Sequence, residues 1–274
     1  MLRRIKASSR DLLYGTRWFV PAQRAYQTLF NRAAAAERSR MERFYAQFFQ
    51  AGDIVFDIGA NVGEYAEVFS FLRAHVVAVE PNPACCRVLD RLAKRSSVTV
   101  EQAAAGALEG FVDLHVCKDS HLSTVSDEWL EQTKAMPSLS GAEWTETIRV
   151  RTITLDALAA KYGKPRFVKI DVEGYEEDVL AGMSFSPEFL SFEYHIEATA
   201  ALARCLERLS HYSFNLTLGR EPAMAFATWV GAQQILEWVV SRRGTDGYGD
   251  ILARRNDLPS AAAPSAPPRP VDAD

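Results

Sequence analysis

The chain has 274 residues, of which 48% are hydrophobic and 24% are charged. This balance is typical of a folded protein with a substantial core, and it excludes collagen-like, mucin-like and wholly disordered chains. The formal net charge of −4 conceals an uneven distribution, because residues 1–45 contain ten basic and three acidic residues. That segment therefore carries +7, and the remainder of the chain carries −11.

The two ends differ from the body of the chain. Residues 1–45 combine their basic charge with apolar residues at near-helical spacing, which predicts an amphipathic helical extension interrupted at Pro21. Its arginines either stay in solvent while the helices pack on the main domain, or make contact with an anionic membrane or a negatively charged substrate. Residues 257–274 are rich in proline and alanine, which predicts a disordered tail.

The location of the protein is predicted from what the sequence lacks. No apolar run approaches the roughly 18 residues that are needed to span a bilayer. The basic N-terminus has no continuous apolar core of the kind found in secretory signals. The cysteines lack the spacing of a zinc site, which favours buried free thiols in a reducing compartment. We therefore expect a cytoplasmic protein with four unpaired cysteines, Cys85, Cys86, Cys117 and Cys205.

Strand-like and helix-like segments alternate between the two ends. The predicted strands are Ile54–Ile58, Val76–Glu80, Val98–Ala104, Phe111–Val116, Thr147–Leu155, Phe167–Asp171, Phe189–Tyr194, Phe214–Leu218 and Ile251–Arg254. The predicted helices are Val62–Leu72, Ala84–Lys94, Leu155–Tyr162, Glu176–Ala181 and Thr199–His211. This alternation predicts an α/β fold with a doubly wound, mainly parallel sheet, whose ligands bind outside the carboxyl ends of the strands. The fourth and fifth strands alternate like exposed antiparallel strands and predict a β-hairpin insertion.

A glycine turn follows the first predicted strand. Gly59 allows a tight turn and the close approach of a ligand, and Gly63 lets the helix start near the sheet. The spacing differs from the Gly-x-Gly-x-x-Gly of nicotinamide dinucleotide sites, and Asp57 suits an amine-bearing ligand better than a phosphate. Glu80 ends the second strand and offers two acceptor oxygens to a ribose diol. Together these residues predict a site for a nucleoside with a non-phosphate tail, such as S-adenosylmethionine.

Six motifs, in their order and spacing, match those of one protein family over about residues 49–255. They are Phe56–Gly63, Val79–Pro83, Val150–Asp156, Val168–Glu176, Phe192–His195 and Gly249–Arg254. By these motifs the chain resembles the FkbM-type S-adenosylmethionine-dependent methyltransferases, a branch of the class I methyltransferases. The resemblance implies a Rossmann-like sheet of seven strands, S-adenosyl-L-methionine as cofactor, and a methyltransferase domain over residues 46–256.

The resemblance also implies a cofactor site. Its glycine turn would line the methionine part of the cofactor, and Asp57 would place the amino group or orient the turn. Glu80 would hold the ribose hydroxyls, while Asn82 and Gln102 are candidates for the ribose edge and the adenine. The full set of candidate cofactor-binding residues is Asp57, Gly59, Ala60, Asn61, Gly63, Glu80, Asn82 and Gln102.

Candidate catalytic residues follow two later strands. Asp171 ends a buried strand and Glu173 comes two residues later, so their carboxylates could position a hydroxyl, take its proton or bind a cation. Asp171 could instead cap the next helix. Glu193 and His195 share one face of the next strand, and an imidazole is a natural proton acceptor, although a lone histidine is more often structural. We predict Asp171, Glu173 and His195 as catalytic residues, and the spacing gives no reason to predict a metal.

The last predictions concern the segment that joins the two hairpin strands, and the methyl acceptor. Lys118–Trp144 has low periodicity and could form a lid over the substrate. The expected reaction is O-methylation of a hydroxyl on a sugar, glycan, lipid headgroup or secondary metabolite. N-methylation and a non-catalytic binding protein with the same fold remain alternatives, and the absent Gly-x-Gly-x-x-Gly disfavours a nicotinamide oxidoreductase. We expect a small-molecule or glycan substrate and no nucleic acid, and the oligomeric state stays open.

Overall fold

The computed structural model describes residues 32–133, 141–244 and 247–259. Most of the predicted N-terminal extension and of the predicted tail therefore lie outside the described residues, as does part of the predicted lid, residues 134–140. The boundaries proposed at residues 45 and 257 stay predictions. No helix in the described ranges has both the length and the apolarity that a membrane crossing requires.

Ten strands lie within the described residues. They are β1 (Ile54–Ile58), β2 (His75–Val79), β3 (Val98–Glu101), β4 (Ala104–Ala105), β5 (Gly110–Cys117), β6 (Trp144–Ile153), β7 (Phe167–Ile170), β8 (Phe189–His195), β9 (Tyr212–Leu216) and β10 (Tyr248–Arg255). Seven of them form the main sheet in the order β3-β2-β1-β7-β8-β10-β9, where β10 is antiparallel to both neighbours. The predicted doubly wound, mainly parallel sheet is confirmed.

Eight α-helices connect these strands in the described ranges. They are α1 (Arg32–Tyr45), α2 (Glu64–Phe71), α3 (Pro83–Ala93), α4 (Asp127–Thr133), α5 (Leu155–Tyr162), α6 (Glu176–Ala181), α7 (Thr199–Arg208) and α8 (Ala232–Val240). Successive side chains of a strand point to opposite faces, and the central strands accordingly contribute alternate residues to two apolar clusters. One cluster contains residues of α1, α2 and α3, and the other contains residues of α5 to α8.

The described part of the N-terminal extension packs against the main domain. Phe48, just after α1, stacks on Phe167 of β7 with ring centroids 5.4 Å apart. Arg38 lies 3.3 Å from the carboxylate of Glu67 in α2. For residues 35–45, the structure therefore agrees with a packed helix. The membrane contact predicted as the alternative for residues 1–45 stays a prediction, and residues 1–31 lie outside the described ranges.

The hairpin insertion forms a second, smaller sheet. Its order is β4-β6-β5, with β5 and β6 antiparallel as predicted. The strand predicted over Val98–Ala104 is divided, because β3 ends at Glu101 and the amide of Ala103 donates to the carbonyl of Glu101 in a turn. The chain then crosses to β4, which pairs with β6.

Strand order reverses at β1. The chain adds β2 and β3 on one side of β1, and later places β7 on its other side. In a doubly wound sheet this switch point is where ligands bind, at the carboxyl ends of the strands. Two helices were not predicted from the sequence: α4 in the lid region and α8 before the last strand.

Candidate active site

A cavity of about 340 Å³ opens at the switch point. Its walls come from the glycine turn after β1, the end of β2, the loop after β7, the end of β8 and the start of β10. Residues 120–123 of the predicted lid line it as well. The cavity therefore lies where the alternation of strands and helices predicted a ligand site.

The glycine turn touches the backbone of the β7 loop. Gly59 has a φ of +81°, and a Cβ at that position would overlap the carbonyl oxygen of Asp171. The amides of Gly59 and Ala60 both donate to the carbonyl of Val79, at 2.9 and 3.1 Å, and bend the turn over β2. Because L side chains rarely adopt this conformation and no space exists for one, only glycine fits at position 59.

Glu80 braces the same turn through both carboxylate oxygens. Oε2 accepts the backbone N–H of Asn61 and Oε1 accepts that of Asn82, each at 2.8 Å. Burial raises the pKa of Glu80 to about 7, although the two N–H donors act to lower it. Each oxygen keeps a second lone pair. Glu80 lines the cavity and is thus a fixed acceptor for hydroxyl groups placed there.

Several predicted cofactor residues lie beneath the turn and not on the cavity surface. The Asp57 carboxylate is buried, and the backbone N–H of Ala66 in α2 acts to lower its pKa. Burial raises the pKa of Asp57 to about 7. Gly63 is the N-cap of α2 with a φ of +90°, and a Cβ there would lie 2.8 Å from Leu89. Of the two roles predicted for Asp57, this geometry fits the one of orienting the turn. Ala60 is also buried outside the cavity lining.

Two further predictions differ from the observed placement. The Asn82 side chain accepts the backbone N–H of Ala84 at 2.9 Å, because it is the N-cap of α3. Gln102 is exposed and does not line the cavity. The wall beside Glu80 is built instead from Val79, Pro81 and Ala103. An apolar wall of this kind suits the face of a nucleobase, which needs little polar contact.

The predicted catalytic residues form another wall of the cavity. Asp171, Glu173 and His195 all line it, together with Glu193. Oε2 of Glu193 lies 3.3 Å from Nε2 of His195, and one donor atom each of Glu173, Glu193 and His195 lie within 4.8 Å of one another. The spacing of two along β8 places Glu193 and His195 on one face, as predicted.

Glu173 has an unusual backbone. Its φ of +54° lies in the left-handed region, which costs energy for a residue other than glycine and persists only when the surroundings hold it. Thr124 Oγ1 donates to the carbonyl of Glu173 at 2.7 Å. A Cβ on the next residue, Gly174, would lie 2.6 Å from the Cβ of buried Trp129. The lid region therefore packs directly on the loop that carries Glu173.

Acidic side chains are concentrated on this wall. Burial raises the pKa of Glu173 well above its ordinary value, and the carboxylates of Glu193, Asp171 and Glu176 raise it further. Burial also raises the pKa of Glu193, with Asp171 adding to the effect. Burial acts to lower the pKa of His195, but Glu193, Glu176 and Asp171 outweigh it and the pKa is raised. A cationic ligand would relieve this repulsion.

Lys169 is a site residue that the sequence analysis did not single out. Its side chain is 1% exposed, and Nζ donates to Asp171 Oδ2 at 3.0 Å and to Asp250 Oδ1 at 3.2 Å. The ammonium also lies 4.3 Å from the centre of the Tyr65 ring. Burial acts to lower the pKa of Lys169, but the carboxylates of Asp171 and Asp250 raise it overall. The sequence did contain a signal for this role, because a lysine lies within the buried strand Phe167–Ile170.

The lid segment reaches both halves of the site. Ser120 Oγ donates to Oδ1 of Asn61 in the glycine turn at 3.0 Å. The Trp129 ring lies 4.3 Å from the ring of His195. The described part of the predicted lid thus borders the cavity through a 3₁₀ turn at Ser120–Leu122, while α4 contacts the site through Trp129.

Comparison with known sequences identifies a family. The profile described as "Methyltransferase FkbM domain" matches residues 57–215, which is more than half of the chain. The hexuronic acid methyltransferase AglP of Haloferax volcanii is 31% identical over 148 residues, which are 51% of this chain and 54% of the relative. The chain therefore spans about half the length of the curated relative that it matches.

Solved structures with similar chain tracing are distant in sequence. Precorrin-6y C5,15-methyltransferase from Geobacter metallireducens is 14% identical, with a TM-score of 0.39 over 81% of this chain and 87% of that one. A TehB-like SAM-dependent methyltransferase from Corynebacterium glutamicum is 10% identical, with a TM-score of 0.38 over 86% and 99%. The fold class therefore rests on the strand order itself, and the family rests on the sequence profile.

Proposed function

Since the chain belongs to the FkbM methyltransferase family, we propose that it transfers a methyl group from S-adenosylmethionine to a hydroxyl of a sugar or glycan. One observation carries the proposal. The glycine turn with Glu80 and the wall with Asp171, Glu173 and His195 face a single cavity at the switch point of the sheet. A cofactor on the first side and an acceptor on the second would meet within it.

The first side fits S-adenosylmethionine in shape and charge. Gly59 leaves a cradle that a Cβ would fill, and Glu80 holds two free lone pairs at a fixed position for the ribose hydroxyls. The carboxylates on the far wall favour a positively charged ligand. When bound, S-adenosylmethionine supplies a methyl group on a cationic sulfur. Methyl transfer then depends mainly on alignment, which the surrounding chain provides.

The second side fits a hydroxyl acceptor. A hydroxyl oxygen becomes a better nucleophile when a nearby base receives its proton. Asp171 and His195 both line the cavity, and Lys169 fixes one oxygen of Asp171. These two side chains are the candidates for the proton acceptor, with Glu173 and Glu193 beside them to hold the acceptor group. An amine acceptor would need less help from a base. The presence of these proton-accepting side chains therefore favours O-methylation over N-methylation.

We propose a sugar acid as the acceptor. The supporting likeness is to a relative named for hexuronic acid, a sugar that combines hydroxyl groups with a carboxylate. Arg220 lines the cavity, and its side chain is 55% exposed at 3.6 Å from Glu64. A pair this exposed leaves the guanidinium free to bind a substrate carboxylate in the bidentate manner that arginine favours.

Two measurements test the proposal. Calorimetry with the purified chain should show binding of S-adenosylmethionine, and Glu80→Ala should weaken it while Glu146→Ala, on the exposed hairpin strand, should not. Labelled methyl transfer is then assayed with glucuronic acid, glucose and glucosamine. We expect transfer to an oxygen of the sugar acid, located by mass spectrometry, and a higher KM for that acceptor in Arg220→Met.

The alternatives make different predictions in the same assays. Transfer to glucosamine nitrogen alone would support N-methylation, and binding of S-adenosylmethionine without transfer to any acceptor would favour a binding protein. An absence of binding at millimolar cofactor would contradict the proposal itself. The peripheral membrane contact of residues 1–45 and a cytoplasmic location remain predictions for separate experiments.

A further inference from the structure

Three side chains on the acceptor wall converge on one point. Glu173 comes from the loop after β7, whereas Glu193 and His195 come from the end of β8. Their nearest donor atoms lie within 4.8 Å of one another, and the Glu193–His195 pair is 3.3 Å apart. Two donors bound to one ion at about 2.1 Å each are separated by about 3 to 4 Å. The cluster is therefore close to the size of a coordination shell.

Two atoms of the cluster have no hydrogen-bond partner. Oε2 of Glu193 and Nε2 of His195 are shielded from solvent, and neither makes a hydrogen bond to any described residue. Although they are near each other, their mutual geometry is not that of a hydrogen bond. Buried polar atoms in folded proteins are almost always satisfied. A cation bound by Oε2 and by the lone pair of an unprotonated Nε2 would satisfy both atoms.

The charge of the wall selects a cation as that partner. Lys169 already donates to Asp171 and Asp250, so its ammonium is engaged on the other side of Asp171. Within the described ranges, the ion pair of Glu193 is with His195 alone, and no lysine or arginine is paired with Glu173. Two neighbouring carboxylates without a fixed cation repel each other. A neutral water molecule would leave that repulsion in place.

We infer that Glu173, Glu193 and His195 bind a divalent cation that holds the acceptor hydroxyl beside Asp171. Two carboxylate oxygens and one imidazole nitrogen suit an ion of the Mn²⁺ type. Three protein donors leave coordination positions open for the acceptor and for water. The left-handed backbone at Glu173, held by Thr124 and by the packing of Trp129 on Gly174, aims its carboxylate at the cluster. The role toward the acceptor rests on the proposed function.

The test measures metal binding apart from activity. The full chain is treated with EDTA, exchanged into chelator-free buffer and titrated with Mn²⁺, and free Mn²⁺ is followed by electron paramagnetic resonance. We expect one ion per chain, and at least a tenfold weaker affinity in Glu193→Gln. Glu188→Gln is the matched control, because Glu188 precedes the same strand at its other end and pairs with Arg166 at 2.9 Å. Its Mn²⁺ affinity should equal that of the wild type.

A second variant and a second ligand make the result decisive. Glu173→Gln keeps the size of the side chain and should also lose at least tenfold in Mn²⁺ affinity, and melting curves show whether each variant is folded. Titration with S-adenosylmethionine on the same samples tests the proposed function separately. Cofactor binding without Mn²⁺ binding, equal Mn²⁺ affinity in both glutamine variants and the control, or turnover that chelation leaves unchanged would overturn the inference. Turnover that is unchanged after chelation would instead indicate that His195 accepts the proton of the acceptor hydroxyl without a metal.

Discussion

Gly59 and Asp171 touch through backbone atoms, so the turn that would hold the cofactor and the strand end that would hold the acceptor are in direct contact. A Cβ at position 59 would overlap the carbonyl oxygen of Asp171. The amide of Asp171 in turn donates to the carbonyl of Ile58 at 2.9 Å. Any change that separates the two segments therefore alters both halves of the site together.

The first prediction concerns this contact. Gly59→Ala forces either the turn or the β7 loop to move, and it also places alanine at a φ of +81°. We expect affinity for S-adenosylmethionine to fall by at least about tenfold, or about 1.4 kcal/mol, when measured by calorimetry. Melting curves of the mutant show whether it is folded, so that a loss of affinity can be assigned to the site.

Gly52 provides the control for backbone strain. It has a similar φ of +90°, but a Cβ there would meet no atom within 4 Å. Gly52→Ala should lower the free energy of unfolding by about 1–2 kcal/mol through left-handed strain alone, without any change in cofactor affinity. Equal cofactor affinities in the two variants would show that the Gly59–Asp171 contact does not shape the site.

The second prediction is a pH dependence of cofactor binding. The pKa of Glu80 is about 7 in the free protein, and hydroxyl donors of a bound ribose favour the ionised carboxylate. Binding therefore selects the deprotonated form, and affinity should rise by about tenfold between pH 6 and pH 8. Without ligand, the free energy of unfolding changes in the opposite direction. The unfolded chain releases the Glu80 proton near its ordinary pKa, whereas the folded protein holds it until about pH 7. Glu80 therefore makes folding less favourable as the pH rises toward 7.

The variant Glu80→Gln tests whether Glu80 or a neighbouring acidic group causes the pH dependence. Asp57 is an acidic neighbour whose pKa is also raised to about 7, whereas burial raises the pKa of Cys85 to about 11 and that of Cys86 to about 12, far from this window. The glutamine variant should bind more weakly and show a flatter pH profile than the wild type. A profile as steep as that of the wild type would assign the titration to Asp57 or to Glu176, whose pKa burial also raises to about 7.

The third prediction concerns the buried ammonium of Lys169. Lys169→Met leaves the carboxylates of Asp171 and Asp250 together without their cation, which should cost about 3–5 kcal/mol of unfolding free energy. Lys161→Met is the comparison, because Lys161 also pairs with a buried carboxylate, Glu101, at 2.7 Å, but its side chain is 55% exposed. That change should cost about 0–1 kcal/mol. Urea denaturation of both variants checks the difference, and equal losses would show that burial does not set the strength of the Lys169 pairs.

The sequence was sufficient for the parts of the fold that depend on local pattern. The runs at β1 and β7 are buried on both faces, and their mainly apolar character located them to within a residue. The bounds of α5 and α6 also agree with prediction. The sequence did not predict α4, because only two of its seven residues, Trp129 and Thr133, are buried and the segment therefore has little apolar periodicity.

Side-chain direction and long-range pairing were the parts that local pattern could not supply. Asn82 has the residue type of a ribose ligand, yet the same amide serves as an N-cap, and the motif cannot distinguish the two uses. Lys169 meets Asp250 across 81 positions of sequence, so its role follows only from the antiparallel placement of β10 beside β8. The convergence of Glu173 with Glu193 and His195 likewise depends on how the β7 loop is held.

The last prediction tests that support. The buried Trp129 ring lies 4.3 Å from the His195 ring, and the same side chain packs against the position of Gly174. Trp129→Leu preserves an apolar residue but removes the aromatic face, so the imidazole should lose its ring-current shift in the ¹H–¹³C spectrum of histidine-labelled protein. We expect a drop in kcat larger than the change in cofactor affinity, because Trp129 supports the acceptor wall and not the glycine turn.

Trp144→Leu, at the other end of the lid segment, is the control: Trp144 donates to the carbonyl of Leu122 and has no described contact with His195. If both variants change kcat equally while the His195 signal stays in place, Trp129 acts through the stability of the lid and not through the position of the imidazole.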